Sequence, residues 1–183
     1  MSNNIVKGEP QLNEYRQNLL KEIGIEKLES DLKTDDWIRI SFVKNLSEEF
    51  IREFKEKVYW YSISKHQKLS ENFICELKSK VDWFAISSFQ ELSEDFIREY
   101  QTDVTWSSIS SFQRLSDDFV IEFKDKINWD VYFRDQEASF NIIRKFISKT
   151  NVNNSSDLKT SHLTNEQKQV IDKILALKYI FTK

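Results

Sequence analysis

Apolar residues recur along this chain in a fixed order, because one 23-residue stretch is repeated four times between Leu46 and Glu137. Each copy opens with a leucine and a serine, and the tryptophans of the chain follow one another at the same interval. They are Trp37, Trp60, Trp83, Trp106 and Trp129. A repeat of this length is typical of stacked-repeat proteins, in which one unit cannot bury its apolar face without its neighbour.

A single continuous helix does not fit this repeat, because 23 residues at about 100° each rotate the chain by six turns and roughly 140°. Within a copy, however, Phe50, Ile51, Phe54 and Val58 have helical spacing. We therefore predict two helices per copy, helix A and helix B, and an all-α solenoid of two-helix repeats. A strand at residues 104–106 is a minor alternative, but it does not explain why tryptophan and isoleucine lie three residues apart.

Both helices have recognisable starts. Helix A is predicted to begin after a capping serine, with the preceding leucine and an Ile or Val at N4 forming a hydrophobic staple. Helix B is predicted to begin at the tryptophan, capped by the residue before it, and to run for about two turns to the glutamine. The predicted caps are Ser47, Ser70, Ser93 and Ser116 for helix A, and Tyr59, Asp82, Thr105 and Asn128 for helix B.

The pattern divides the chain into four regions: a leader and N-terminal capping helices (1–36), the repeat array (37–149), a polar linker (150–162) and a C-terminal helix (163–183). A helix is predicted from Gln11 to near Gly24, and a second apolar stripe follows through Leu28. Asp36 is predicted to cap the first helix B.

The end of the array is predicted from a partial fifth copy. Ser139 occupies the serine position of a closing helix A that has no helix B. A Thr164-x-x-Gln167 capping box then opens the C-terminal helix. We expect this helix to pack on the last repeat rather than to pair with another chain.

Composition limits the function classes. With 27 basic and 30 acidic residues, the chain shows neither a cationic nucleic-acid patch nor a strongly acidic character. The single cysteine, Cys75, excludes an internal disulfide framework and is predicted to be a core filler. No signal-peptide pattern or membrane-spanning run is present, so we expect a cytoplasmic protein that does not associate with a membrane.

No catalytic or metal-binding pattern is visible. The serines lie at predicted caps, and the two histidines, His66 and His162, have no acidic residue at a motif spacing. Gly8 and Gly24 are the only glycines, which leaves no glycine-rich phosphate loop. The sequence therefore predicts a protein that is not an enzyme and needs no cofactor or metal.

Two rows of acidic residues recur with the repeat. In the first, three of the glutamates Glu53, Glu76, Glu99 and Glu122 have a lysine four residues later (Lys57, Lys80 and Lys126), which predicts ion pairs within helices. The second row lies at the starts of helix A and is either helix-dipole compensation, which we favour, or an acidic edge that faces a basic partner. It comprises Glu48, Glu49, Glu71, Glu94, Asp95, Asp117 and Asp118.

The residues at the outer positions of helix B differ between copies, whereas the residues that define the repeat pattern stay the same. Stacking would place them on one surface, where exposed aromatic residues are typical of contact patches. Neutral sequence change at solvent-exposed positions explains the variation equally well. The candidate binding face comprises Tyr59, Tyr61, Lys65, Phe84, Ser88, Ser107 and Ser111.

The phrase LSEDFIREY…VTW…IS..Q resembles a family of 23-residue repeats in uncharacterised proteins of low-GC bacteria, their phages and giant viruses. The resemblance covers residues 37–149 and implies a helical repeat without a known activity. It also suggests a phage or mobile-element inhibitor of a host defence complex, such as an anti-CRISPR-like protein. We therefore expect a non-catalytic protein-binding scaffold, with a protein that contacts or mimics nucleic acid as the alternative.

Overall fold

The structure is a computed structural model that describes residues 9–25, 31–152 and 155–181. These residues form α-helices and short 3-10 turns without a strand, and successive helices pack against one another. The predicted all-α, solenoid-like repeat class is therefore confirmed, and the strand alternative at residues 104–106 is wrong. The chain divides into two compact units between Asp82 and Trp83.

The first unit contains five helices in its described residues. They are α1 (Glu9–Glu22), α2 (Thr34–Ser41), α3 (Glu48–Glu53), α4 (Trp60–His66) and α5 (Glu71–Glu76). In repeat terms, α2 and α4 are B helices, and α3 and α5 are A helices. None of these helices in the described residues, nor any in the second unit, is long and apolar enough to cross a bilayer.

The second unit continues the same alternation and then closes it. Its helices are α6 (Trp83–Phe89), α7 (Glu94–Glu99), α8 (Trp106–Phe112), α9 (Asp117–Glu122), α10 (Trp129–Asp135), α11 (Phe140–Phe146) and α12 (Asn165–Phe181). Here α6, α8 and α10 are B helices, and α7, α9 and α11 are A helices. Two 3-10 turns, Ile147–Lys149 and Ser155–Asp157, lie between α11 and α12.

Helix A begins as predicted but is shorter than predicted. In all four full copies the serine side chain accepts a hydrogen bond from the backbone N–H three residues later, and Ser139 does the same for α11. The helix does not reach Val58, because Phe54 departs from helical geometry at φ −100° and ψ 23°. The apolar spacing continues through the following turn, in which the Val58 N–H donates to the Phe54 carbonyl at 3.0 Å.

One isoleucine or valine from each helix between α2 and α9 lies at the centre of the core. These residues are fully buried: Ile40, Ile51, Ile63 and Ile74 in the first unit, and Ile86, Ile97, Ile109 and Val120 in the second. Burying such a side chain stabilises the fold by about 1.5–3 kcal/mol. Helices of six or seven residues are unstable alone, so this packing, rather than helix propensity, determines the fold.

The tryptophan of helix B packs on aromatic residues of the next helix A, as the repeat pattern predicts. Ring centroids lie 4.7 Å apart for Trp37 and Phe54 in the first unit. In the second unit the Trp83 ring lies 5.4 Å from Tyr100, and the Trp129 ring lies 4.4 Å from Phe146. These three indoles are therefore shared between neighbouring repeats, and Phe54 and Tyr100 lie directly after helix A at its C-cap.

The N-terminal segment is partly as predicted. Helix α1 ends at Glu22, and Gly24 has a φ of +68°, a left-handed conformation that glycine adopts without strain. Of the expected stripe Ile25, Leu28 and Leu32, Leu28 lies outside the described residues, whereas Ile25 is buried and Leu32 is half-buried. Asp36 is not the cap of α2: the helix begins at Thr34, and the Asp36 carboxylate instead accepts the Lys33 N–H at 3.0 Å.

The C-terminal segment closes the array as predicted, but residues 150–162 are not a simple linker. Thr164 and Gln167 form the expected capping box, and Ile171 and Leu175 of α12 are buried in one core with α11. Leu158 belongs to the same core. The segment is polar in composition, but among its described residues Thr150 and Leu158 are buried.

Candidate interaction surfaces

A buried serine in helix B links each repeat to the next. Its Oγ accepts the N–H of the residue that precedes the next helix B, 18 residues later, at 2.8–3.0 Å. The pairs are Ser41 with Tyr59, Ser64 with Asp82, Ser87 with Thr105, and Ser110 with Asn128. Tyr59, Thr105 and Asn128 occupy the N-cap positions of helix B as predicted, but only the Asn128 side chain accepts a capping bond.

The glutamine that follows helix B holds the loop of the previous repeat. Gln113 accepts the Leu92 N–H at 3.1 Å and donates to the carbonyls of Ser87 and Gln90 at 3.0 and 2.8 Å. Gln67 makes the equivalent bonds in the first unit, to the Leu46 N–H and the Val43 carbonyl. Because these amides are buried, they serve the fold and are not available to a ligand.

Several residues of the predicted acidic edge make contacts that hold successive repeats together. Glu48 accepts the N–H of Ser70 at 2.7 Å, and Glu94 accepts the N–H of Ser116 at 2.6 Å, so each carboxylate contacts the start of the next helix A. Asp117 accepts the Ser139 hydroxyl in the same way. Glu71 is half-buried, whereas Glu49, Asp95 and Asp118 are exposed, and Asp95 pairs with Arg98 at 2.8 Å. An acidic ridge formed by the whole row is therefore not present as a free surface.

The predicted ion pairs within helix A are wrong. Glu76 pairs with Arg52 and Glu122 with Arg98, at 2.9 and 3.0 Å, and in both pairs the arginine lies 24 residues earlier. Side-by-side packing of successive A helices brings these residues together, whereas the predicted lysines turn elsewhere: Lys126 lies 5.5 Å from the Trp106 ring centroid. Arg52 lowers the pKa of Glu76 through its hydrogen bond, and both groups face solvent.

In the first unit, the candidate binding residues lie together on α4. Tyr59, which precedes the helix, is 48% exposed, and its ring centroid lies 6.2 Å from that of Tyr61. The Lys65 ammonium group lies 5.6 Å from the Tyr61 ring centroid, a cation–π distance. The three side chains therefore lie side by side, with Tyr59 exposed and Tyr61 and Lys65 half-buried.

In the second unit, the structure separates the candidate residues. Phe84 is 52% exposed and Ser107 is exposed, but Ser88 and Ser111 are buried. The Ser88 hydroxyl donates to Ser108 at 2.8 Å, and Ser111 donates to the Asp135 carboxylate. The assignment of Ser88 and Ser111 to an exposed face is therefore wrong.

Two further exposed aromatic residues, which the sequence analysis did not select, lie at the ends of α6 and α8. Phe89 is 49% exposed and Phe112 is 61% exposed, although neighbouring residues on both helices are buried. They border an open groove of about 400 Å³ whose walls are residues 88–92 and 112–114. The signal was present in the sequence, because phenylalanine occupies equivalent positions in two successive repeats where other copies carry Val43, His66 and Asp135.

The described residues contain no group of three metal-ligating side chains. Burial, with a smaller contribution from the charge of Asp117, raises the pKa of Tyr132 to about 12, so this phenol stays protonated. The His162 ring bonds to the Ala138 carbonyl at 2.9 Å, and Cys75 is a half-buried free thiol rather than the predicted core residue.

A hydrogen-bonded polar cluster surrounds Asp130. Its carboxylate accepts the Thr150 hydroxyl and both the N–H and the side-chain amide of Asn151, and these bonds lower its pKa. Lys178 of α12 donates to the carbonyls of Thr150 and Val152. The cluster anchors the C-terminal helix, so its function is structural.

Comparison with known proteins finds no family model, no curated protein and no solved structure that matches this chain.

Proposed function

We propose that this chain is a non-catalytic scaffold that binds another protein through exposed aromatic residues of its B helices. The observation that carries the proposal is the exposure of Tyr59, Phe84, Phe89 and Phe112, each between 48% and 61%. Large aromatic residues at the surface are enriched in protein interfaces and supply much of their binding energy.

The hydrogen bonds between repeats support this proposal, because the polar side chains that make them already have partners. Ser87 and Gln113 bond to backbone groups of neighbouring repeats, and Glu94 and Asp117 bond to the next helix start. These side chains are engaged in holding the repeats together. What remains for a partner is the set of exposed aromatic side chains and the charged residues beside them.

A narrower form of the proposal concerns the kind of partner. The resemblance of the repeat to proteins of phages and low-GC bacteria suggests a host defence complex, with the chain acting as an anti-CRISPR-like inhibitor in the cytoplasm. This form rests on the resemblance alone.

Affinity capture tests the proposal one unit at a time. Tagged full chain is incubated with lysates of low-GC bacteria, and captured proteins are quantified by mass spectrometry for the wild type, Tyr59→Ser and Phe84→Ser. Glu99→Gln, a change at an exposed residue of helix A, is the matched control. We expect one stoichiometric protein with the wild type and control, and less with at least one aromatic variant.

Two results would contradict the scaffold. The first is no stoichiometric partner together with turnover of a substrate by the purified chain. The second is binding to DNA or RNA that weakens steeply with salt, because neutralisation of phosphates releases counterions. An electrophoretic shift assay at low and moderate salt measures the second result directly.

A further inference from the structure

The groove between the ends of α6 and α8 has the geometry of a side-chain pocket. We call it the Phe89–Phe112 groove; its walls are residues 88–92 and 112–114, and its volume is about 400 Å³. Axes of packed helices lie about 8–10 Å apart, so rings at equivalent positions of adjacent helices leave room for about one side chain between them. The volume is within the range of small binding pockets.

The fold of the repeats does not require phenylalanine at positions 89 and 112. The same position holds Val43, His66 and Asp135 in other repeats, and all of these repeats still form helix B. In the groove, Phe112 leaves 61% of its surface in water. Each exposed ring therefore retains apolar surface whose burial would contribute to the affinity for a partner.

The polar floor of the groove is rigid and already satisfied. The Gln113 amide bonds to the Leu92 N–H and to the carbonyls of Ser87 and Gln90. The Ser88 hydroxyl donates to Ser108. A ligand therefore does not need to replace these bonds, and the groove is organised before binding, which reduces the entropy cost of association.

The rim of the groove carries one charge of each sign. Glu91 and Arg114 lie at equivalent positions of successive repeats and are both exposed. Neither makes an ion pair or side-chain hydrogen bond within the part of the chain that the structure describes. A separation of about 8–10 Å between repeats corresponds to about three residues of extended peptide.

We propose that the Phe89–Phe112 groove binds an extended peptide segment of a protein partner. One large apolar side chain of the peptide lies between the two rings. A basic residue pairs with Glu91 and an acidic residue pairs with Arg114, two to four positions apart along the peptide. The mixed charge of the rim favours a peptide over nucleic acid, because the Glu91 carboxylate repels phosphate.

This inference rests on the proposed function. It assigns one class of ligand, an extended peptide, to the exposed surface of the second unit. The probe is a random peptide library displayed on phage and panned on the immobilised full chain. Enriched sequences are synthesised with a fluorescent label, and their Kd is measured by anisotropy. We expect a consensus with a large apolar residue between a basic and an acidic one.

Three variants locate the binding site. Phe89→Ser/Phe112→Ser should weaken peptide binding by at least about tenfold, the effect of losing about 1.4 kcal/mol. Leu177→Ser is the matched control, because Leu177 of α12 is an apolar residue of similar exposure that lies outside the groove walls. Glu91→Arg/Arg114→Glu should weaken the consensus peptide and restore binding to the peptide whose two charges are exchanged. Circular dichroism and thermal melting establish that each variant is folded.

Four outcomes would overturn the inference: no enriched consensus, an unchanged Kd in the double phenylalanine variant, equal weakening by Leu177→Ser, or a concentration-dependent dimer in sedimentation that Phe89→Ser/Phe112→Ser abolishes. The last outcome would make a second copy of this chain the occupant. None of the four overturns the scaffold itself, which affinity capture and the nucleic-acid shift assay test separately.

Discussion

The two ends of helix B differ in what they contact, although they belong to the same short helix. At the first end, a tryptophan packs on the aromatic residues of the next helix A, as with Trp106 and Phe123 at 5.1 Å. At the last end, the residue before the glutamine changes from copy to copy, and Phe89 and Phe112 are about half exposed. The residue at the first end is therefore fixed by the fold, whereas the residue at the last end can change without loss of the fold.

The largest effect is expected from removing a buried indole at the first end. Trp129 is 6% exposed and packs on Phe146, so Trp129→Ala should lower the free energy of unfolding by about 3–5 kcal/mol. Trp83 is only half-buried, and Trp83→Ala should cost less. Chemical denaturation measures both. Equal costs, or stability near that of the wild type for Trp129→Ala, would contradict the packing described here.

A smaller effect is expected from the glutamine that holds the loop. Gln113→Ala leaves the Leu92 N–H and the Gln90 carbonyl without their partner, which should cost about 2–3 kcal/mol. Gln101→Ala is the control, because Gln101 lies in the partly exposed turn after α7 and its side chain bonds only to Lys126. The control should cost less than about 0.5 kcal/mol in the same assay. If the two substitutions lower the free energy of unfolding by the same amount, the Gln113 amide does not stabilise the contact between repeats.

The Asp130 cluster should give a stability that depends on pH. Its hydrogen bonds lower the pKa of Asp130, so they stabilise the fold above the ordinary carboxyl pKa of about 4 and this contribution is lost as the pH falls through the lower folded value. Asp130→Asn should therefore cost about 1–3 kcal/mol at pH 7 and less at pH 3. Urea denaturation at both values tests this. The same cost at both would show that the carboxylate charge is not involved.

The smallest effect is expected from the surface ion pairs. A double-mutant cycle of Arg98→Ala and Glu122→Ala should give a coupling energy of about 0.2–1 kcal/mol, as is usual for exposed pairs. The matched cycle of Glu122→Ala and Lys126→Ala should give a coupling near zero, because these residues are not paired in the structure. A larger coupling energy for Glu122 and Lys126 than for Arg98 and Glu122 would favour pairing within the helix.

Local features were predictable from the sequence, and contacts between repeats were only partly so. The capping serines of helix A depend on residues three positions away, and a capping box identified the start of α12 correctly. The ion pairs were assigned within helix A because residues four apart share a helical face. The stacking of successive repeats instead brings Arg98 beside Glu122, at the equivalent face of the next helix A.

The serines of helix B were missed for a related reason. In the sequence, Ser87 and Ser110 resemble ordinary helix-surface serines, and only the fold shows that they bond to an N–H 18 residues later. One signal was available: a serine recurs at the same position of helix B in four successive copies, as Ser41, Ser64, Ser87 and Ser110. A residue type that recurs in this way indicates a contact that every copy makes.

The candidate face was half predictable because it was inferred from variation alone. Variation identified Tyr59 and Phe84 correctly as exposed, but it did not separate them from Ser88 and Ser111, whose small hydroxyls fit between packed helices. Exposure at a given position depends on the helix orientation, which the repeat period alone does not give.

The central claim is that successive repeats are joined by hydrogen bonds of fixed register, and amide hydrogen exchange tests it most directly. The N–H groups of Thr105 and Asn128 precede helix B and have no acceptor within their own helix, but they bond to Ser87 and Ser110 at 2.9 and 3.0 Å. We predict slow exchange of both amides by NMR, with Ser110→Ala accelerating Asn128 and leaving Thr105 protected. Exchange of both at the rate of an unstructured peptide in the wild type would contradict the account.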